Sequence, residues 1–93
     1  MASDAGVKNI DQLRQFGRNL KIASGNLINL FGKLNMQMHA VCEGWNDAQN
    51  QKFMVEFEKR CHEIQQLSNE MQNYSEFIDK TCNILDQYKS LRH

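Results

Sequence analysis

Four residues near the middle of this 93-residue sequence have the chemistry to hold a metal: His39, Cys42, Cys61 and His62. Zinc takes imidazole and thiolate ligands in a tetrahedron, and His39 and Cys42, three apart, have a spacing that one helix face can offer. The second pair is the obstacle. If the chain folds back near residue 45, His39 faces roughly residue 52, which leaves Cys61 and His62 about 15 Å further along the axis. The same register keeps Cys42 about 15–20 Å from Cys61, and Cys61 lies about twenty residues from Cys82, so the three cysteines are expected as free packed thiols. The acids Glu56, Glu58, Glu63, Glu70, Glu76, Asp79 and Asp86 scatter over a solvated face instead of converging as an acid–base pair, and no Glu-x-x-His motif suggests a di-iron bundle. There is no Gly-rich phosphate loop, no nucleophile elbow and no Cys/His pair with a third orienting group. Gly17, Gly25 and Gly32 are too far apart to cradle a phosphate and read as packing allowances. The expectation is a non-enzymatic protein with no catalytic residue, cofactor or metal.

The composition says what elements must carry the residues. The chain has no proline and five glycines, with 41% hydrophobic and 24% charged residues. Too few turn formers are present for an all-β fold, and the apolar fraction argues against disorder. Eleven bases balance eleven acids, which lacks the electrostatic footprint of a nucleic-acid or anionic-membrane binder. The charges are segregated: residues 1–42 carry Lys8, Arg14, Arg18, Lys21 and Lys33 against Asp4 and Asp11, a charge of +3, and residues 43–93 carry six bases against nine acids, a charge of −3. Halves of opposite sign suit an antiparallel pairing. No window approaches the ~18 apolar residues of a membrane span, and the start has no apolar leader. A cytoplasmic chain is expected, with no membrane insertion, and any export would use a route that reads no cleaved signal.

The apolar spacing of the first half is a heptad seam. Ile10, Leu13, Gly17, Leu20, Ser24, Leu27, Phe31, Leu34, Met38, Val41 and Trp45 alternate steps of three and four without a slip. One column is Leu13, Leu20, Leu27, Leu34 and Val41; the other starts small at Gly17 and Ser24 and ends bulky at Phe31, Met38 and Trp45. Phe16, Ala23 and Leu30 widen this face beyond a bare coiled-coil stripe. Asn9-Ile10-Asp11-Gln12 reads as a capping box, predicting a helix over about 9–42. Glu43-Gly44-Trp45-Asn46-Asp47 then supplies the turn at about 43–47, with Gly44 suited to a left-handed C′ position and Asn46 or Asp47 to the next N-cap.

The period resumes at Phe53, Phe57, Ile64, Leu67, Met71, Tyr74, Ile78, Leu85 and Tyr88, with Cys61 and Cys82 on the same side, and predicts a second helix over about 48–91. The short connection makes the pair antiparallel, so residues 1–93 form one all-α helical-hairpin domain. Its packing seam is expected to use Leu13, Leu20, Leu27, Phe31, Leu34, Met38, Val41, Phe57, Ile64 and Met71. From Tyr74 onward, Tyr74, Phe77, Ile78, Ile84, Leu85, Tyr88 and Leu91 cover more than one face, and mark a candidate partner-binding surface. Two helices leave much of their apolar surface wet, which predicts a dimer closing into a four-helix bundle, either a homodimer or a heterodimer.

The turn carries a family resemblance. Trp45-Asn46-Asp47-Ala48-Gln49-Asn50-Gln51-Lys52-Phe53, in a hairpin of about a hundred residues, resembles the WXG-motif (ESAT-like) family associated with type VII secretion. The tryptophan opens the turn and an aromatic stands eight positions on. Asp47 occupies the place of the family's second motif residue, glycine, making a WxD variant in which the aspartate can cap the second helix. The family's export signal is a tyrosine followed four positions later by an acid; here Tyr74 is followed by Ile78 and Tyr88 by Arg92. The resemblance implies a small interaction protein of a type VII-like secretion or polymorphic-toxin system: a substrate, co-substrate or targeting partner of a larger effector. Its partner would be another helical hairpin or the helical domain of that effector. The alternative is a cytosolic helical-bundle adaptor unrelated to secretion. Trp45 itself reads either as a ring capping the end of the bundle or as a docking anchor.

Overall fold

Two long helices make the fold: α1 spans Ala2–Cys42 and α2 spans Ala48–Ser90. The computed structural model describes residues 2–45 and 47–91, with side chains from Asn9 onward. The helices lie antiparallel in a rod of 70 × 18 × 15 Å, the all-α hairpin that the heptad spacing and the lack of proline predict. α1 does not start at the expected capping box. It is already helical at Ala2, so Asn9 lies within the helix, where the backbone amides are satisfied by the ladder.

The turn is closed by the Trp45 N–H, which donates to the Cys42 carbonyl at 3.0 Å. Gly44 is not left-handed as its position suggested: no described residue has a positive φ. The work falls on Asp47, whose backbone is extended (φ −85°, ψ 162°) and whose carboxylate accepts the Asn50 N–H at 2.7 Å. This is an N-cap satisfying one of the orphan amides of α2. The Asn50 side-chain amide donates back to the Trp45 carbonyl, which ties the two sides of the turn together. Asn46, the other expected cap, lies outside the described residues.

The seam departs from the heptad expectation in two ways. On α1 the column Ile10, Gly17, Ser24 and Met38 is buried and Phe31 half-buried, with Leu13, Leu20 and Leu27 half-buried beside it. Leu34 and Val41 continue the leucine column in sequence but are exposed, Val41 by 74%. Ile28, Asn35 and Cys42 take their place against α2. A strict seven-residue repeat drifts ~20° per heptad around an α-helix. That drift carries the leucine column outward and its neighbour inward on the way to the turn.

On α2 the inner positions are Asn50, Met54, Phe57, Cys61, Ile64, Ser68, Met71, Ser75, Ile78 and Cys82, all buried or half-buried and spaced four, three, four, three throughout. Phe57, Ile64 and Met71 are where the sequence predicts them. Phe53, Leu67, Tyr74 and Tyr88, expected in the same seam, are exposed. The column that replaces them is small: Cys61, Ser68, Ser75 and Cys82. The physical reason is Arg60. The bulky column passes through its guanidinium, which is costly to bury without a partner, whereas the small column faces Gly17 and Ser24 of α1 and lets the backbones approach.

Candidate functional site

The close approach of the helices brings two thiols and one hydroxyl of α2 onto carbonyls of α1. Cys61 Sγ reaches the Phe31 carbonyl at 3.9 Å, Ser75 Oγ donates to the Gly17 carbonyl at 2.7 Å, and Cys82 Sγ reaches the Ile10 carbonyl at 3.8 Å. These contacts form a ladder in which each step toward the C-terminus on α2 matches an equal step back on α1. Ser68 and Ser24 occupy the rung between Cys61 and Ser75. Both are fully buried, and neither hydroxyl has a hydrogen-bond partner among the described residues. All three cysteines are free thiols. Burial, and after it the neighbouring Glu58 carboxylate, push the Cys61 thiol above its ordinary pKa, which makes it a poorer nucleophile and ligand. Sequence reasoning sets Cys61 and Cys82 on the inner side as packed thiols but assigns nothing to Ser68 and Ser75, although the seven-residue spacing of the column was the available signal.

The residues first weighed for metal binding are separated. His39 Nε2 pairs with Glu58, a residue further along α2 than the position near 52 that simple back-folding assigns it. Cys42 is buried in the seam and Cys61 faces Phe31. Among the described residues no cluster of three or more metal-ligating side chains occurs. An open groove of about 520 Å³ runs beside Gly32, Asn35, Glu58, Cys61 and His62, and another of about 360 Å³ beside Arg14, Arg18, Lys21 and Asp79.

Both grooves belong to one side of the rod, and that side is polar. Arg14 sits there between Asp79 at 3.6 Å, the Asn83 side-chain carbonyl at 3.2 Å and Asp86, and the His39–Glu58 pair lies toward the turn. Segregated charge is thus used across the seam within one chain. The other side of the rod follows from helical geometry: residues on the opposite flank of each inner column point away from the ion pairs. On α1 these are Phe16, Leu30, Leu34 and Val41; on α2 they are Phe53, Leu67, Tyr74, Phe77, Ile84 and Tyr88, and all are exposed. Phe53 stacks on the half-buried Phe57 with ring centroids 5.8 Å apart. Scattered apolar residues on a surface are ordinary, but here they gather along the α1 flank and at both ends of the α2 flank, which the Arg60–Glu63 pair interrupts between them, and an apolar patch of that extent marks a surface that something covers.

The candidate partner-binding residues divide accordingly. Tyr74, Phe77, Ile84, Leu85, Tyr88 and Leu91 are exposed, whereas Ile78 is half-buried against Gly17. Trp45 is 58% exposed, so it does not bury its ring at the end of the hairpin. Among the described residues no helix is long and apolar enough to cross a membrane. No protein-family model matches this chain, and no match is found among curated proteins or solved structures.

Proposed function

We propose that this chain is a non-enzymatic docking module, a helical hairpin that packs its apolar face against the helices of a partner. One observation carries the reading: both helices leave large apolar side chains uncovered along one flank of the rod, away from the Arg14 and His39 contacts across the seam and interrupted on α2 by the Arg60–Glu63 pair. Burial of such a face at ~25 cal/mol per Å² is the largest gain in free energy open to the molecule. The setting proposed is a type VII-like secretion or polymorphic-toxin system, with the chain as substrate, co-substrate or targeting partner of a larger effector. The hairpin, its length and the exposed tryptophan in its turn support that setting. A cytosolic adaptor unrelated to secretion is the second reading, favoured by Asp47 in the place of glycine and by the lack of an acid four residues after either tyrosine.

Co-expression with the helical domain of a large effector encoded beside it tests the proposal. Co-purification should be lost when Phe77, Ile84 and Tyr88 are together replaced by Ser, with helicity retained by circular dichroism. A gene neighbourhood without a membrane FtsK-like ATPase or a large toxin moves the assignment to the adaptor reading.

A further inference from the structure

We propose that the groove beside Gly32 binds a small organic amine, an ammonium group carried on a compact apolar body. The groove lies on the polar side of the rod, away from the apolar flank, and the proposal does not depend on the docking reading.

The groove offers about 520 Å³ of open space, within the ~300–1,000 Å³ of small-ligand sites. Ile28, Phe31 and Ile64, all half-buried, give it an apolar lining drawn from both helices. Part of its wall has no side chain: a Cβ on Gly32 would meet nothing within 4 Å. The polar groups of the lining are unmatched. Asn35 Oδ1 is shut off from water and has no hydrogen-bond partner among the described residues. Such an acceptor calls for a donor, and the terminal torsion of asparagine is soft enough to turn it toward the groove. Glu58 adds a carboxylate whose one ion-pair contact among the described residues is His39, an imidazole that is charged only when protonated. No lysine or arginine of the described residues lines the groove. The negative charge is felt there, since burial and then the Glu58 carboxylate push the Cys61 thiol upward.

These features select among ligands. An anion would meet Glu58 with like charge. An uncharged apolar molecule would leave both acceptors unmet. A bare metal ion would find one carboxylate in an apolar lining, short of the oxygen shell that hard cations take, and among the described residues no three metal-ligating side chains converge. An ammonium brings three N–H donors and a positive charge, which answers both acceptors from within one groove while its apolar body covers Phe31.

Phenethylamine is the probe, and phenethyl alcohol supplies the same body without the charge. Titrated into the isotope-labelled chain, the amine should move amide resonances of residues 28–35 and 58–65 and leave those around Phe16 and Phe77 in place. The alcohol should bind roughly tenfold more weakly. Glu58→Gln should weaken the amine roughly tenfold and Asn35→Ala roughly threefold. Gly32→Leu, which fills the groove from its open wall, should abolish binding. Helicity by circular dichroism should be unchanged in all three. Gln72→Ala, in the groove beside Arg14, should bind as the wild type does. Equal binding of amine and alcohol, binding that survives both Glu58→Gln and Gly32→Leu, or shifts that fall along the apolar flank each overturn the site. A groove that ignores phenethylamine at about 10 mM but takes N-acetyl-lysine amide with the same dependence on Glu58 belongs to a lysine side chain of a partner, which overturns the free amine. Silence toward both overturns the site.

Discussion

The Ser75 hydroxyl donates to the carbonyl of Gly17 at 2.7 Å, and this contact exists because Gly17 has no side chain. A Cβ there would stand 2.9 Å from Ile78 Cγ2 and 3.3 Å from Ile78 Cβ. Ile78 is β-branched with little rotamer freedom, so it cannot swing aside. Gly17 is therefore where the two backbones meet, one turn of helix from the Arg14 ion-pair cluster.

Gly17→Ala should accordingly destabilise the hairpin by about 1–3 kcal/mol through overpacking. Gly25→Ala and Gly32→Ala should do the reverse, since a Cβ at either meets nothing within 4 Å, and relief of the helix penalty of glycine is worth ~0.5–1 kcal/mol. Urea midpoints of the three variants check this; equal shifts of one sign would contradict the seam described.

The buried hydroxyls should split in the same way. Ser75→Ala removes a satisfied hydrogen bond and leaves the Gly17 carbonyl with its helical partner alone, at a cost of about 0.5–1.5 kcal/mol. Ser68→Ala removes a fully buried hydroxyl with no partner among the described residues, and should be neutral or stabilising by up to ~1 kcal/mol. Thermal melts of the two variants, run side by side, give the comparison.

At the turn, Asp47→Ala should cost about 1 kcal/mol, the typical worth of an N-cap. Trp45→Ala should cost less than that in the free chain, because the ring is largely in water, while a partner that covers it would feel its loss. A Trp45→Ala variant that melts far below Asp47→Ala would mean that the indole packs within the hairpin.

Cys61 should be slow to alkylate. Its thiol is held above the ordinary 9.0 first by burial and then by Glu58. The folded chain keeps this proton where the unfolded chain has begun to lose it, so the associated stability is complete below about pH 9 and falls as pH rises through the raised value. Iodoacetamide at pH 8–9 should react more slowly with folded than with urea-unfolded chain, and Glu58→Gln should speed the folded reaction a few-fold by removing the like charge.

Much of this was legible in the residues. The lack of proline, the unbroken three-four spacing from Ile10 to Trp45 and the Asp47 cap lead to two helices and one tight turn, and the outward-facing Phe77, Ile84 and Leu91 follow from the widening of the apolar pattern after Tyr74. The rotation of α2 did not follow. Periodicity gives the spacing of a stripe but not which of two adjacent stripes faces inward, and hydrophobicity favours Phe53, Leu67, Tyr74 and Tyr88 over cysteine and serine. The choice is decided by close backbone approach at Gly17 and by the charge of Arg60, which are relations between helices. Leu34 and Val41 were misplaced for a simpler reason, since the drift of a seven-residue repeat becomes large only near the turn.

Cys61, Ser68, Ser75 and Cys82 follow one another at seven-residue steps, so the column is a ruler whose marks differ only in what α1 sets opposite them. Sliding α2 by one heptad would offer each donor another carbonyl of α1, but would set Ile78 against Ser24 or Ile10 where Gly17 now makes room. One alignment is therefore marked at three places: Gly17 in the seam, the Asp47–Asn50–Trp45 bonds at the turn, and Arg14 between Asp79 and Asp86 near the termini. Lengthening the turn by a few residues would remove only the second of these, and the missing side chain of Gly17 would still hold α2 to its place.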